Sequence, residues 1–178
     1  LALYDARLAP KPAGLVLDGA LDAWLNANHG PGTATFEALQ RTCRAGVRDG
    51  WLCDREGGGI RYGRIFKPAD DLHGFSVDVV DMQDIAGPHH THPLGEIDLV
   101  MPVEGEARFD GRPAGWCVYG PGTAHRPTVS GGRALVLYLL PQGQIQFTRP
   151  APAAAANEST EGDNDGPSHP RRRRGAAA

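Results

Sequence analysis

From Trp51 to Phe147 the chain is cut into short β-type runs by glycine-centred turns, and this punctuation limits the fold more than any other feature. Strand patterning falls at residues 60–66, 75–82, 96–102, 107–109, 116–119, 125–129, 133–140 and 144–147. Turn chemistry lies between them at Asp110-Gly111, Gly120-Pro121-Gly122, Ser130-Gly131-Gly132 and Gln142-Gly143. With 24 glycines and 15 prolines in 178 residues, a helical bundle is excluded. About eight short strands predict a mainly β protein, a jelly roll or small barrel with one core.

The first 50 residues follow a different period. Leu21, Trp24, Leu25 and Asn28 recur at helical spacing after Asp18, a good N-cap. Phe36, Leu39, Cys43 and Val47 line a second helix that Thr33 or Thr35 would cap, and Gly30-Pro31-Gly32 separates the two. The expected organisation is a helical hairpin over residues 1–50, a barrel over 51–148 and a tail over 149–178. That tail is rich in Pro, Ala, Asn and Asp and carries Arg171 to Arg174. It has too little apolar surface to offset its ordering entropy and is expected to be disordered.

Charge and cysteine content narrow the partners. A net charge of −3, with no aromatic platform beside the single basic run, argues against nucleic-acid binding. The apolar run from Ala134 to Leu140 is far shorter than the ~20 residues a membrane helix needs, and no basic-then-apolar leader is visible. Three cysteines, Cys43, Cys53 and Cys117, are an odd number without paired metal-ligand spacing. The expectation is a cytoplasmic protein with reduced thiols.

The chemistry concentrates in Gly87-Pro-His-His-Thr-His-Pro-Leu-Gly-Glu96. Side chains two apart on a strand share a face, so His90, His92, Glu96 and Asp98 have common parity while Ile97, Leu99 and Met101 point the other way. A third imidazole, His125, follows the Gly120-Pro121-Gly122 turn. Neutral imidazoles and a carboxylate suit one divalent ion. A set of three His and one Glu with open positions favours iron or manganese, with zinc, nickel or cobalt as further candidates. His89 competes with His90, but only His90 shares parity with His92.

These two segments resemble the two cupin motifs, His-x-His-x3-Glu and Gly-x5-Pro with Gly-x2-His. The resemblance implies a cupin-type jelly-roll barrel with metal ligands His90, His92, Glu96 and His125. Two departures stand out: the glycine after the first motif is displaced to Gly105, and the second motif reads Pro-Gly where Pro-x-Gly is usual. The longer strings, His-Thr-His-Pro-Leu-Gly-Glu-Ile-Asp-Leu-Val-Met-Pro and Gly-Pro-Gly-Thr-Ala-His-Arg-Pro-Thr-Val-Ser, resemble the 4-hydroxylaminobenzoate lyases of bacterial nitrobenzoate breakdown.

That resemblance implies conversion of 4-hydroxylaminobenzoate to protocatechuate with release of ammonia. Asp98, with Glu96, is the candidate for proton transfer, or Asp98 anchors a ligand histidine. Arg126, Arg64 and Arg61 are candidates for the substrate carboxylate. Tyr119 and Tyr138 are candidates for contact with its ring. Competing readings are a cupin-type metal-dependent dioxygenase or isomerase acting on a small aromatic acid, and a non-catalytic small-molecule-binding cupin. Cupin barrels often pair, so a homodimer or larger homo-oligomer is expected.

Overall fold

The structure, a computed structural model, describes residues 15–148. The expected disordered tail therefore lies outside the described residues. Two helices come first, α1 (Gly19–His29) and α2 (Ala34–Arg48). Nine strands follow: β1 (Arg55–Gly57), β2 (Ile60–Phe66), β3 (Phe75–Ala86), β4 (His90–His92), β5 (Glu96–Phe109), β6 (Gly115–Tyr119), β7 (Thr123–His125), β8 (Thr128–Pro141) and β9 (Gln146–Phe147). Among the described residues no helix is long and apolar enough to cross a membrane.

The strands form a six-stranded sheet, β1-β2-β3-β8-β5-β6, and a three-stranded sheet, β7-β4-β9, with every pairing antiparallel. The mainly β, jelly-roll class is as expected. The sheet is not closed, however: hydrogen bonding stops between the two sheets, which face each other across the site.

Period-two patterning sorts the large sheet into two apolar faces. Val77, Val79, Ile97, Leu99, Met101, Leu135 and Leu137 pack on Leu21, Leu25, Phe36 and Cys43 of the helices. Met82, Val100, Phe109, Val136, Tyr138 and Leu140 face the interior. The outward row Ile97, Leu99 and Met101 is thus covered by the hairpin. Asp18 and Thr33 cap the helices as their residue types predict, Asp18 Oδ1 accepting from the backbone N–H of Ala20 and Leu21 at 3.0 Å.

The polar side of α1 serves the sheet edge. Asn26 accepts from the Trp116 N–H at 2.8 Å and donates to the Trp116 carbonyl at 2.9 Å, while Asp22 accepts from the Val118 N–H at 3.0 Å. Two helical residues four apart thereby pair with β6 in place of a further strand.

Three boundaries differ from expectation. The runs at 96–102 and 107–109 are one strand, because Gly105 lies opposite Gly132 in register shifts that bend both β5 and β8 without ending them. Ser130-Gly131-Gly132 is accordingly part of β8 and not a turn. The run at 125–129 is divided by buried Pro127, which separates β7 from β8. The short strand β1 has too few alternating apolar residues to register as a strand in the sequence, and β4 is marked there only by the shared parity of His90 and His92.

Candidate metal centre

Strand β4 is three residues long and has the composition His90-Thr91-His92. Its pairing with β7 sets His90 opposite His125, and β5 begins at Glu96 after a tight turn closed by the Gly95 N–H bonding to the His92 carbonyl. Gly95 has φ +91°, and a Cβ there would lie 2.7 Å from the Tyr119 carbonyl oxygen. The turn therefore needs glycine to bring Glu96 back to the two imidazoles.

The four side chains meet. One potential ligand atom from each of His90, His92, Glu96 and His125 lies within 4.8 Å of all the others. His125 Nε2 is 3.0 Å from His90 Nε2, and Glu96 Oε1 is 3.4 Å from His92 Nε2 and 3.8 Å from His125 Nε2. Each Nδ1 is engaged outward: His90 with the Pro88 carbonyl at 3.2 Å, His92 with Thr123 Oγ1 at 3.0 Å, and His125 with Asp110 Oδ2 at 2.5 Å. The Thr123 hydroxyl gives its proton to the Gly120 carbonyl at 2.7 Å, so toward His92 it accepts. All three rings then carry hydrogen on Nδ1 and aim the Nε2 lone pair inward.

A cation fits this donor set. Among the described residues, buried side-chain polar atoms without a hydrogen-bond partner belong, apart from His29 Nε2, to His92 Nε2 and both carboxylate oxygens of Glu96 and Asp98. Leaving such groups unpaired in a dry interior costs several kcal/mol, which a divalent ion offsets for the ligands. Burial, with neighbouring imidazoles, lowers His90 to about 4 and His92 to about 3, so both are neutral, as metal ligands must be. Burial pushes the Glu96 carboxyl up. Burial and the Glu96 carboxylate push Asp98 well up.

Asp98 shares the interior face, two residues along β5 from Glu96, with Tyr138 and Cys117 beside it in register. Tyr138 is buried, its ring centroid 6.2 Å from that of Phe109. Tyr119 stands opposite Glu96 on β6, its ring 5.3 Å from His92 and 4.6 Å from His125.

The three arginines separate. Arg64 pairs in register with Asp78, which is opposite Tyr138, so Arg64, Asp78, Tyr138 and Asp98 form one row across four strands on the interior face. Its Nε donates to Asp78 Oδ1 at 2.8 Å. Arg61 is on the other face, 3.8 Å from Asp81. Arg126 is exposed, in the link between β7 and β8. Neither is brought to the cluster. His89 is half-buried and contacts the Thr148 hydroxyl, leaving the site to His90.

Sequence reasoning passed over Asp110 and Thr123, which hold the outer nitrogens of two histidines of the cluster. Asp110 carried a signal, an aspartate before glycine, that reads equally well as an ordinary turn.

The family model for 4-hydroxylaminobenzoate lyase (PnbB) matches residues 7–147. The 4-hydroxylaminobenzoate lyase of Nocardioides sp. (strain LMS-CY) is 37% identical over 143 residues, covering 75% of this chain and 84% of that protein. This chain belongs to the 4-hydroxylaminobenzoate lyase family. A second member, from Pseudomonas putida, is 30% identical over 144 residues, covering 71% of this chain and 82% of its own length. Among solved structures, an RmlC-like cupin protein from Ralstonia eutropha aligns with a TM-score of 0.41 and 15% identity, over 52% of this chain and 62% of that one. Membership makes the chain an enzyme of this lyase kind, and the cluster of three His and one Glu lies inside the matched region.

Proposed function

We propose that this protein is a metal-dependent lyase that converts 4-hydroxylaminobenzoate and water to protocatechuate and ammonia. The observation that carries the reading is the convergence of His90, His92, Glu96 and His125, with orphaned ligand atoms, in a chain of this family. The donor set favours iron or manganese over zinc, nickel or cobalt.

The reaction is redox-neutral overall. The nitrogen–oxygen bond breaks with its electron pair leaving on oxygen, water adds at the adjacent ring carbon, and the remaining imine is hydrolysed to release ammonia. A divalent ion held by the four ligands would supply Lewis acidity to a departing or attacking oxygen. Asp98, buried beside Glu96 with both oxygens free, hands a proton to the departing hydroxyl and takes one back from the added water. Tyr119 and Tyr138 wall the ring-binding space.

Arg64 is the arginine of the three that stands on the interior face, and it takes the substrate carboxylate. Three strand spacings separate its backbone from that of Asp98, roughly 14 Å. A long guanidinium side chain and a para-disubstituted ring together span that gap.

The reading includes a cytoplasmic homodimer or larger homo-oligomer. Three free, buried cysteines support the reducing compartment, and exposed Trp51 and Phe66 offer apolar contact area for a second copy. The deciding experiment is metal analysis of purified protein with ammonia release from 4-hydroxylaminobenzoate, before and after chelation and without oxygen. Stoichiometric ammonia that disappears on chelation and returns with metal is expected. Full turnover by metal-free protein, or an absolute need for oxygen, would end the proposal.

A further inference from the structure

We infer that Asp110 is a positioning residue that sets the metal affinity of the site by locking His125 as an Nε2 ligand. This inference rests on the metal reading above. The three ligand histidines are not held alike. His90 and His92 are buried, with outer nitrogens facing a backbone carbonyl and a threonine hydroxyl, both neutral. His125 is on the three-residue strand β7 and has the only ring of the three with appreciable side-chain exposure, 12%. It is the one most in need of a fixed orientation, and it alone of the three has a carboxylate on its outer nitrogen.

That carboxylate is itself immobilised. Asp110 Oδ1 accepts from the Thr128 N–H at 2.8 Å, while the Asp110 N–H donates to the Thr128 carbonyl at 2.8 Å. Oδ2 accepts from the Tyr119 hydroxyl at 2.8 Å and from His125 Nδ1. One side chain thus ties the turn after β5 to the start of β8, to β6 and to the ligand on β7. Its backbone sits at φ +49°, a left-handed conformation that aspartate and asparagine tolerate better than other residues with a side chain. An ionised carboxylate beyond the ring makes Nε2 a better donor and holds hydrogen on Nδ1, the arrangement by which outer partners tune metal sites.

The substitution Asp110→Asn keeps size and backbone preference and removes the charge. Zinc is the probe, with its dissociation constant measured by chelator competition on the purified full chain. The expected result is ~10- to 100-fold weaker binding by D110N. Tyr119→Phe, which removes the other hydrogen bond to the same oxygen, is expected to stay within about 3-fold of wild type. An independent readout needs no substitution: nitrogen-15 NMR of histidine side chains in zinc-loaded wild type should report His125 protonated at Nδ1 and metal-shifted at Nε2. Wild-type zinc affinity in D110N, or a His125 that binds zinc through Nδ1, overturns the inference and leaves the metal reading intact. Wild-type protein that takes up neither zinc nor iron nor manganese overturns both.

Discussion

Replacing His92 by Ala removes a fully buried ring whose Nε2 has no partner but Glu96 and its fellow ligands. Loss of both bound metal and ammonia release is expected, checked by elemental analysis beside an activity assay. Asp98→Asn separates chemistry from ligation. Metal occupancy should persist while turnover falls by ~100-fold or more, as for loss of a proton-transfer group; loss of the metal would make Asp98 an anchor. At this scale parity made two pairs legible, residues 90 and 92 on β4 and 96 and 98 on β5, while the meeting of the two pairs across the Gly95 turn was legible only through the motif spacing. Asp110 and Thr123 were not: Asp110 sits in a turn whose direction no periodicity records, and Thr123 meets His92 only through the pairing of β7 with β4. Arg61 and Arg64, three apart on β2, had to face opposite sides. Only the pairing of β2 with β3 decides that Arg64 faces inward.

Gly105 and Gly132 explain how one long strand came to look like two. They are partners across β5 and β8, at φ +69° and +140°, and a Cβ on Gly132 would sit 2.1 Å from the Glu104 carbonyl oxygen. A positive-φ glycine pair has the same local signature whether it closes a turn or bulges a strand, so residues 130–132 could not reveal which. The bulges also bring Arg133 to Asp81 at 2.7 Å and to Glu104 at 3.2 Å. Gly132→Ala should therefore destabilise by about 3 kcal/mol, combining left-side backbone strain with a backbone clash. Gly111→Ala, at φ +77° in open space, should lose about 1 kcal/mol. Urea unfolding midpoints of the two variants would separate them, and equal loss would mean that the bulge is not close-packed. The helices are more legible, since α1 and α2 carry their caps, Asp18 and Thr33, in the sequence. Their role against β6 was hidden, because Asn26 and Asp22 look like solvent-facing polar residues until the sheet edge is present.

In the whole molecule, two sheets trap imidazoles and carboxyls whose proton linkages oppose one another. Without metal, His90 and His92 stay neutral down to about pH 4 and about 3, whereas an unfolded imidazole protonates near ~6.5. As pH falls from ~6.5 toward 4, the unfolded chain binds protons that the folded chain refuses, and stability drops. Glu96 and Asp98 are shifted upward, so the folded chain keeps their protons above the ordinary carboxylate range of ~4; their contribution is present at low pH and declines as pH rises. A divalent ion selects ionised Glu96 and neutral imidazoles, removing part of that high-pH penalty, and protons displace it on acidification. At a free concentration 100-fold above its dissociation constant, an ion that binds only the folded state adds about 2.7 kcal/mol. Thermal melts of chelated and metal-loaded protein should accordingly differ by several degrees near pH 7.5 and converge toward about pH 5, where Glu96 holds its proton against the ion. Identical melts near pH 7.5 would mean that the sheets close around an empty polar cluster. The orphaned oxygens of Glu96 would then need another partner, such as buried water, and the proposed chemistry would lose its Lewis acid.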